Sequence, residues 1–173
     1  GGMGVLSGKA VLVLDKVRTI PGVVDVAAVS VLPMSGDGMS IGFSLENEPR
    51  GDMIPPAHVE MLDVVTPGFF SVMKIPLKAG RSFAAHEDTR PLVMIVNEAF
   101  ARKYWPGENP IGKRISAGYD NDSLREVIGV VGDVRRSELD EPPAPAMYLP
   151  HHQAGFPALT LLMLDRFPLN RGA

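Results

Sequence analysis

The chain has 173 residues, 45% of them hydrophobic and 21% charged, with a formal charge of −3. That length suits one domain or two small lobes, and the apolar share is enough for a core, which excludes a disordered chain. The acidic balance offers no basic field to gather nucleic acid, and the lack of cysteine excludes disulfides, thiol nucleophiles and thiolate metal sites.

Gly1-Gly2-Met3-Gly4 has no basic stretch followed by an apolar one, so no signal peptide is expected there, and Gly1-Gly2 reads as a cloning remnant. Apolar runs such as Val11–Leu14 fall far short of the roughly 18 residues of a membrane span. Ala10, Val13, Leu14 and Val17 recur at the spacing of one helix face, which predicts a helix from Lys9 to Ile20, capped by Ser7 and stopped by Pro21-Gly22. Val23 to Leu32 is rich in β-branched residues and reads as a strand. After a Ser/Gly/Asp loop from Ser35 to Ser40, alternation at Ile41, Phe43 and Leu45 predicts a half-buried strand. His58 to Val65 predicts another beyond the Pro55-Pro56 break.

The pattern changes at Thr66-Pro67-Gly68, where Thr66 is expected to cap a short helix that buries Phe69, Phe70 and Met73. Leu92 to Val96 reads as a strand, and Asn97 as the cap of a helix from Glu98 to Trp105 that Pro106-Gly107 ends. Arg114–Ser116 and Arg125–Val131 predict two strands joined at Asp120-Asn121-Asp122. A Pro-rich link, Glu141 to Pro145, leads to strands at Ala146–Leu149 and Leu159–Leu164. The order is mixed and strand-heavy, without sustained strand–helix alternation, which predicts an α+β fold.

Few residues carry chemistry. Gly107-Glu108-Asn109-Pro110-Ile111-Gly112-Lys113 mimics a phosphate-binding loop, but Pro110 removes an N–H, Arg114 stands where a hydroxyl is needed, and a strand follows instead of a helix. It reads as an ordinary loop. His86, Glu87 and Asp88, and the pair His151-His152, are expected to be solvated loop residues, because adjacent side chains on extended backbone point apart and zinc needs three or four convergent ligands. No Gly-x-Ser-x-Gly elbow is present, and Glu46/Glu48 and Asp120/Asp122 fall on strand surfaces or turns. Arg102, Lys103, Lys113 and Arg114 surround Tyr104 and Trp105; the aromatics read as core anchors with cations reaching past them to solvent. No catalytic, cofactor-binding or metal residue is therefore assigned, and neither ATP nor zinc is expected to bind.

Four ordered blocks carry a family resemblance. Val65-Thr66-Pro67-Gly68-Phe69-Phe70, with Met73-Lys74-Ile75-Pro76-Leu77 and Gly80-Arg81-Ser82-Phe83, resembles the V-S/T-P-G-Y-F…M-G-I-P-L…G-R-x-F signature of MacB-like periplasmic core domains. Val96-Asn97-Glu98-Ala99-Phe100 through Tyr104-Trp105-Pro106-Gly107 to Arg114-Ile115 is similar to the next block, and Val127 to Arg135, then Met147-Tyr148-Leu149-Pro150, complete the order. Ile20-Pro21-Gly22-Val23 matches the junction near the start, and the likeness spans residues 10 to 164.

The resemblance implies a domain outside the cytoplasmic membrane, set between transmembrane helices of an ABC-transporter permease of the MacB and FtsX type. It implies two α+β lobes: a porter-like β-α-β lobe from residues 1–65 plus 141–173, and a smaller inserted mixed lobe at 66–140. The partners implied are the permease's own membrane helices and a cytoplasmic ATPase subunit or domain, with a permease dimer or periplasmic protein as further candidates. No cofactor is implied. Family members continue past the strand at Leu159–Leu164 and end it with Arg-Thr where this chain has Asp165-Arg166, so truncation or divergence is expected there. Gly68, Gly80, Gly107, Gly112 and Gly132 are expected at turns. Phe69, Phe70, Phe83, Phe100 and Trp105 are expected to be buried anchors, and Arg81 and Arg135 to bridge lobes or strand ends. A free-standing extracytoplasmic ligand-binding or interaction module is the alternative.

Overall fold

The computed structural model describes residues 12–30, 38–50, 54–87, 90–117, 123–134, 141–154 and 160–165. Three helices and nine strands are formed among them. They are α1 (12–18), β1 (Val23–Val29), β2 (Ser40–Leu45), β3 (His58–Val65), α2 (Phe69–Val72), β4 (Leu77–Gly80), β5 (Val93–Asn97), α3 (Glu98–Tyr104), β6 (Arg114–Ala117), β7 (Leu124–Val131), β8 (Ala146–Pro150) and β9 (Thr160–Asp165). A 3-10 turn, His151–Gln153, follows β8. The expected mixed α/β architecture is what forms.

All nine strands join one sheet, ordered β2-β6-β7-β5-β8-β3-β1-β9, with β4 on β7 and a further pairing of β2 with β3. That last pairing closes six strands into a ring. β3 makes it possible by dividing one edge between two partners: Ser40 to Phe43 of β2 pair with its first half, and Val29 of β1 pairs with Val65 at its end. Its other edge runs parallel to β8. Strands of the stretch 66–140 pair directly with strands of the flanking stretches, β5 with β8 and β6 with β2, so one sheet crosses both boundaries.

Each ring strand sends alternate side chains inward. Phe43, Leu62, Val64, Met94, Val96, Ile115, Val127, Met147 and Leu149 belong to one buried cluster to which all six ring strands contribute. Phe100 and Trp105, after α3 begins, join the same cluster from one end. The alternate set, including Val65, Val93, Ile95, Ile128, Ala146 and Tyr148, packs outward against Phe69 and Phe70 of α2 and Ile75 and Phe83 of the next segment. β1 is covered on both faces. Val26 and Ala28 meet Leu14 and Val17 of α1, while Ala27 and Val29 meet the α2 side. Two-sided burial explains why this strand reads as a continuous apolar run.

The five aromatic anchors are all buried: Phe69, Phe70, Phe83, Phe100 and Trp105. Asn97 caps α3, its Oδ1 accepting the Phe100 N–H at 2.9 Å. Thr66 does not cap α2, whose N-cap position is Gly68 with no side-chain bond. The Thr66 hydroxyl instead accepts the Ala28 N–H at 2.8 Å, pinning the end of β3 to β1, because a buried strand end leaves that donor no water to use. Val13 is exposed, not part of the buried stripe, because α1 rests on a single strand, which Leu14 and Val17 suffice to meet.

β4 was not foreseen. It crosses β7 at a bulge, where Met94 and Ile95 of β5 pair with Val127 and Gly129 and leave Ile128 as an extra residue. Gly80 and Gly129 face each other there. A Cβ on Gly80, whose φ is +69°, would lie 2.1 Å from the Ile128 carbonyl oxygen, and one on Gly129 would lie 2.3 Å from the Arg81 carbonyl oxygen. Only glycine lets the two backbones come this close. Gly107 and Gly112 also have positive φ, whereas Gly68 is right-handed helical at φ −74°.

Candidate functional site

Polar side chains concentrate at the two ends of the ring. At the end where β5 passes into α3, His58 and Glu60 lie two residues apart on β3, on the face that Leu62 and Val64 turn inward. Glu48 just beyond β2 accepts the Leu45 N–H at 2.7 Å and meets His58 Nε2 at 2.7 Å with its other oxygen. The Tyr104 hydroxyl donates to Glu60 Oε1 at 2.6 Å, and the Lys103 ammonium pairs with the same oxygen. The rings of Phe43, His58 and Tyr104 meet one another at centroid distances of 5.0 to 5.2 Å.

Burial raises the Glu48 carboxyl, but the Leu45 N–H and His58 together outweigh it and hold the group below the ordinary range. Burial, and then the Glu60 acceptor and its charge, hold the Tyr104 phenol well above its usual value. A phenol that keeps its proton and a carboxylate that keeps its charge form a static knot. It ties the β2–β3 hairpin to α3 and stoppers the ring.

The opposite end is formed where β8 leaves the sheet. Gln153 acts as a clamp there: its Oε1 accepts the Val93 N–H at 2.9 Å and Arg125 Nη1 at 3.2 Å, and its Nε2 donates to the Pro91 carbonyl at 2.9 Å. Arg125, fully buried at the start of β7, also donates to the Gln153 and Val93 carbonyls at 2.9 and 3.3 Å. A buried guanidinium is tolerable only with its donors engaged in this way. On the same turn, the rings of His151 and His152 meet at a tilt of 48° with centroids 3.7 Å apart, and His86 lies 6.0 Å from His152.

His86 is an exposed loop residue, as expected, but the expectation fails for the second group, where His151 is buried and His152 half-buried. His151 is only 5% exposed, because β8 carries the chain directly from the sheet into a tight turn. Burial, and then its neighbour His152, pull His151 down to about 4. Burial and His86 lower His152, while Glu87 opposes them. Sequence spacing hid this contact, since His86 reaches His152 across 66 positions of chain. Among the described residues no group of three or more His, Asp or Glu is arranged to hold a metal ion.

The other sequence candidates are dispersed. The phosphate-loop mimic lies between α3 and β6, with Lys113 ion-paired to Glu108 at 2.5 Å. Each cation of the basic patch has a carboxylate: Arg102 pairs with Asp133 at 2.6 Å, Lys103 with Glu60 and Arg114 with Glu46. Glu46 and Glu48 therefore serve different partners. Arg81 makes a two-bond pair with Glu87, at 2.9 and 3.3 Å, within its own loop instead of across the molecule. Asp88, Asp120, Asp122 and Arg135 lie outside the described residues. No helix of the described residues is long and apolar enough to cross a membrane.

Comparison with known proteins gives a consistent picture. A family model described as MacB-like periplasmic core domain matches residues 5–167. Among solved structures, the periplasmic region of MacB from Actinobacillus actinomycetemcomitans superposes with a TM-score of 0.62 at 16% identity, over 90% of this chain and 64% of that one. The extracellular domain of the noncanonic ABC-type transporter YknZ from Gram-positive bacteria gives 0.58 at 18% identity, over 91% of this chain and 73% of that one. A domain of a putative permease protein from Porphyromonas gingivalis gives 0.57 at 18% identity, over 89% and 67%. At these identities the structures speak for the fold, and the chain spans about two thirds of the MacB region. No curated protein matches the sequence.

Proposed function

Because this chain belongs to the MacB-like periplasmic core domain family, we propose that it is the extracytoplasmic part of an ABC-transporter permease. In this reading it is a non-catalytic module that converts movement of membrane helices into engagement of cargo or a partner protein. ATP hydrolysis belongs to a cytoplasmic subunit or domain.

The observation that carries the reading is the family match over residues 5–167, joined to the way the chain is anchored. α1 packs on β1, and β9 pairs along β1 from Val29 to Val23, so the first and last described elements load the same strand. β1 passes that load to the ring through Val29 opposite Val65 and through the Ala28–Thr66 bonds. A strand held this way suits transmission of a pull from the membrane.

The test uses the complete protein in its native membrane. The chain has no cysteine, so Lys78→Cys at an exposed β4 position, in a protein otherwise free of cysteine, reports on its side of the membrane. Labelling by an impermeant maleimide in intact cells, with the protein retained in salt-washed membranes, is the expected outcome. Labelling only after lysis would remove the extracytoplasmic reading. Release into the salt wash would favour the free-standing module.

A further inference from the structure

The transport reading makes no use of the histidine row His86, His152 and His151. The two imidazoles on the turn meet with centroids 3.7 Å apart, tilted by 48°, and the exposed His86 extends the row at 6.0 Å from His152. No hydrogen bond of good geometry reaches either ring nitrogen of His151, whose polar neighbour is the Val65 backbone, and His152 Nδ1 makes none. Buried nitrogens without partners are uncommon and costly, and a proton added to His151 has no carboxylate to receive it. The same turn carries Gln153, whose side chain spans Val93 of β5 and Arg125 of β7. We propose that the row is an acid-sensitive latch: charging its imidazoles expels the 151–153 turn, withdraws the Gln153 clamp and loosens β5 from β7 at this end of the ring.

The charges around the row favour release. Glu87 acts on it through His152, and Asp63, buried on β3 opposite Tyr148 of β8, is the carboxylate of the neighbouring strand. Glu87 is already engaged by Arg81 and by the Ala84 N–H at 2.7 Å. On the β7 side stands the cation Arg125, held through Gln153, and Glu126 acts on Arg81 and Arg114. On β3 the residue paired with the end of β8 is Val65, whose backbone favours the charged form of His151 but less than burial and His152 oppose it. A second proton in the row therefore meets the charge of the first and, in Glu87, an acid already occupied. At the other end of the ring His58 Nε2 instead faces the Glu48 carboxylate at 2.7 Å. The response is confined to one end.

The direction follows from linkage. His151 in the closed turn sits at about 4, below the ordinary imidazole value of about 6.5 that the released turn restores. The latch is thus fully held above about pH 6.5 and weakens as pH falls toward the closed-state value. At about pH 5.5 His151 alone makes the open turn roughly tenfold more populated than at neutral pH.

Amide hydrogen exchange on this chain, read by NMR at about pH 7.5 and 5.5, tests the proposal. After correction for the intrinsic rates, protection at Val93, His152 and Gln153 is expected to fall about tenfold, while Phe100 and Trp105 hold theirs. The double variant His151→Asn/His152→Asn should remove the excess. Equal loss at both ends, or no excess loss, overturns the latch, as does a pH response unchanged in the double variant. Should that variant not fold, titration of the wild-type imidazole resonances decides: His151 is expected to titrate below about pH 5, and titration near about 6.5 overturns the proposal.

Discussion

Replacing Trp105 with alanine removes the large side chain that the C-cap of α3 adds to the buried cluster of the ring. The indole is only 7% exposed and meets the Phe100 ring at 5.6 Å. Its backbone is held from both sides, the N–H donating to the Ala101 carbonyl at 2.9 Å and the carbonyl accepting the Glu108 N–H at 3.0 Å, so the site cannot collapse freely. A buried aromatic of this kind removes about 200 Å² from water, worth roughly 5 kcal/mol at 25 cal/mol per Å². The extended reference state overstates that area, and a partly relaxed cavity adds a cost, so Trp105→Ala is expected to lose about 3–5 kcal/mol. For a domain of this size that is a melting temperature lower by about 10 °C. Urea unfolding followed by far-ultraviolet circular dichroism measures the loss, with an unchanged slope if the unfolded state is unaffected. Trp105 is the only tryptophan, so native emission reports on this site alone and should be blue-shifted and shielded from iodide. Red-shifted, quenchable emission together with near-wild-type stability of Trp105→Ala would refute burial and point to a contact surface.

Asn97→Ala should cost about 2–4 kcal/mol, because one side chain caps α3 and also bonds the Ala146 N–H at 2.9 Å and the Ala144 carbonyl at 2.8 Å. Asn97→Asp keeps the acceptor and should recover part of this in the same urea experiment; equal losses would count against the capping account. Gly80→Ala should destabilise by about 3 kcal/mol or more, since its Cβ meets backbone at 2.1 Å and φ is +69°; a thermal melt within about 2 °C of wild type would show that β4 does not cross β7 as described. His151 binds its proton more readily in the unfolded chain than in the folded one, where it sits at about 4. Its contribution to stability is present above about pH 6.5 and lost toward that folded value, at most about 3 kcal/mol. The difference between wild type and His151→Gln across that window should show the slope, and parallel curves would dismiss it.

Much of the local structure was legible in the residues. β-branched runs and alternation located β2, β3, β5, β7 and β8 within a residue or two, and the start of β1 at Val23. Asn97 announced the start of α3, and the aromatic anchors announced the core, because each signal depends only on neighbours in sequence. The mixed α/β class and the family followed from ordered blocks. What stayed hidden has a common cause. β4 has four exposed residues and no apolar rhythm, and it exists as a strand because β7 offers its backbone a partner across a Gly80–Gly129 approach. Thr66 looked like a helix cap until β1 brought the Ala28 N–H to it. Periodicity states which side of a strand turns inward but not which strand lies beside it. The closing of β2 onto both β6 and β3, and the gathering of His86 with His151 and His152, therefore belong to the tertiary structure alone: pairing and burial between distant segments decided them.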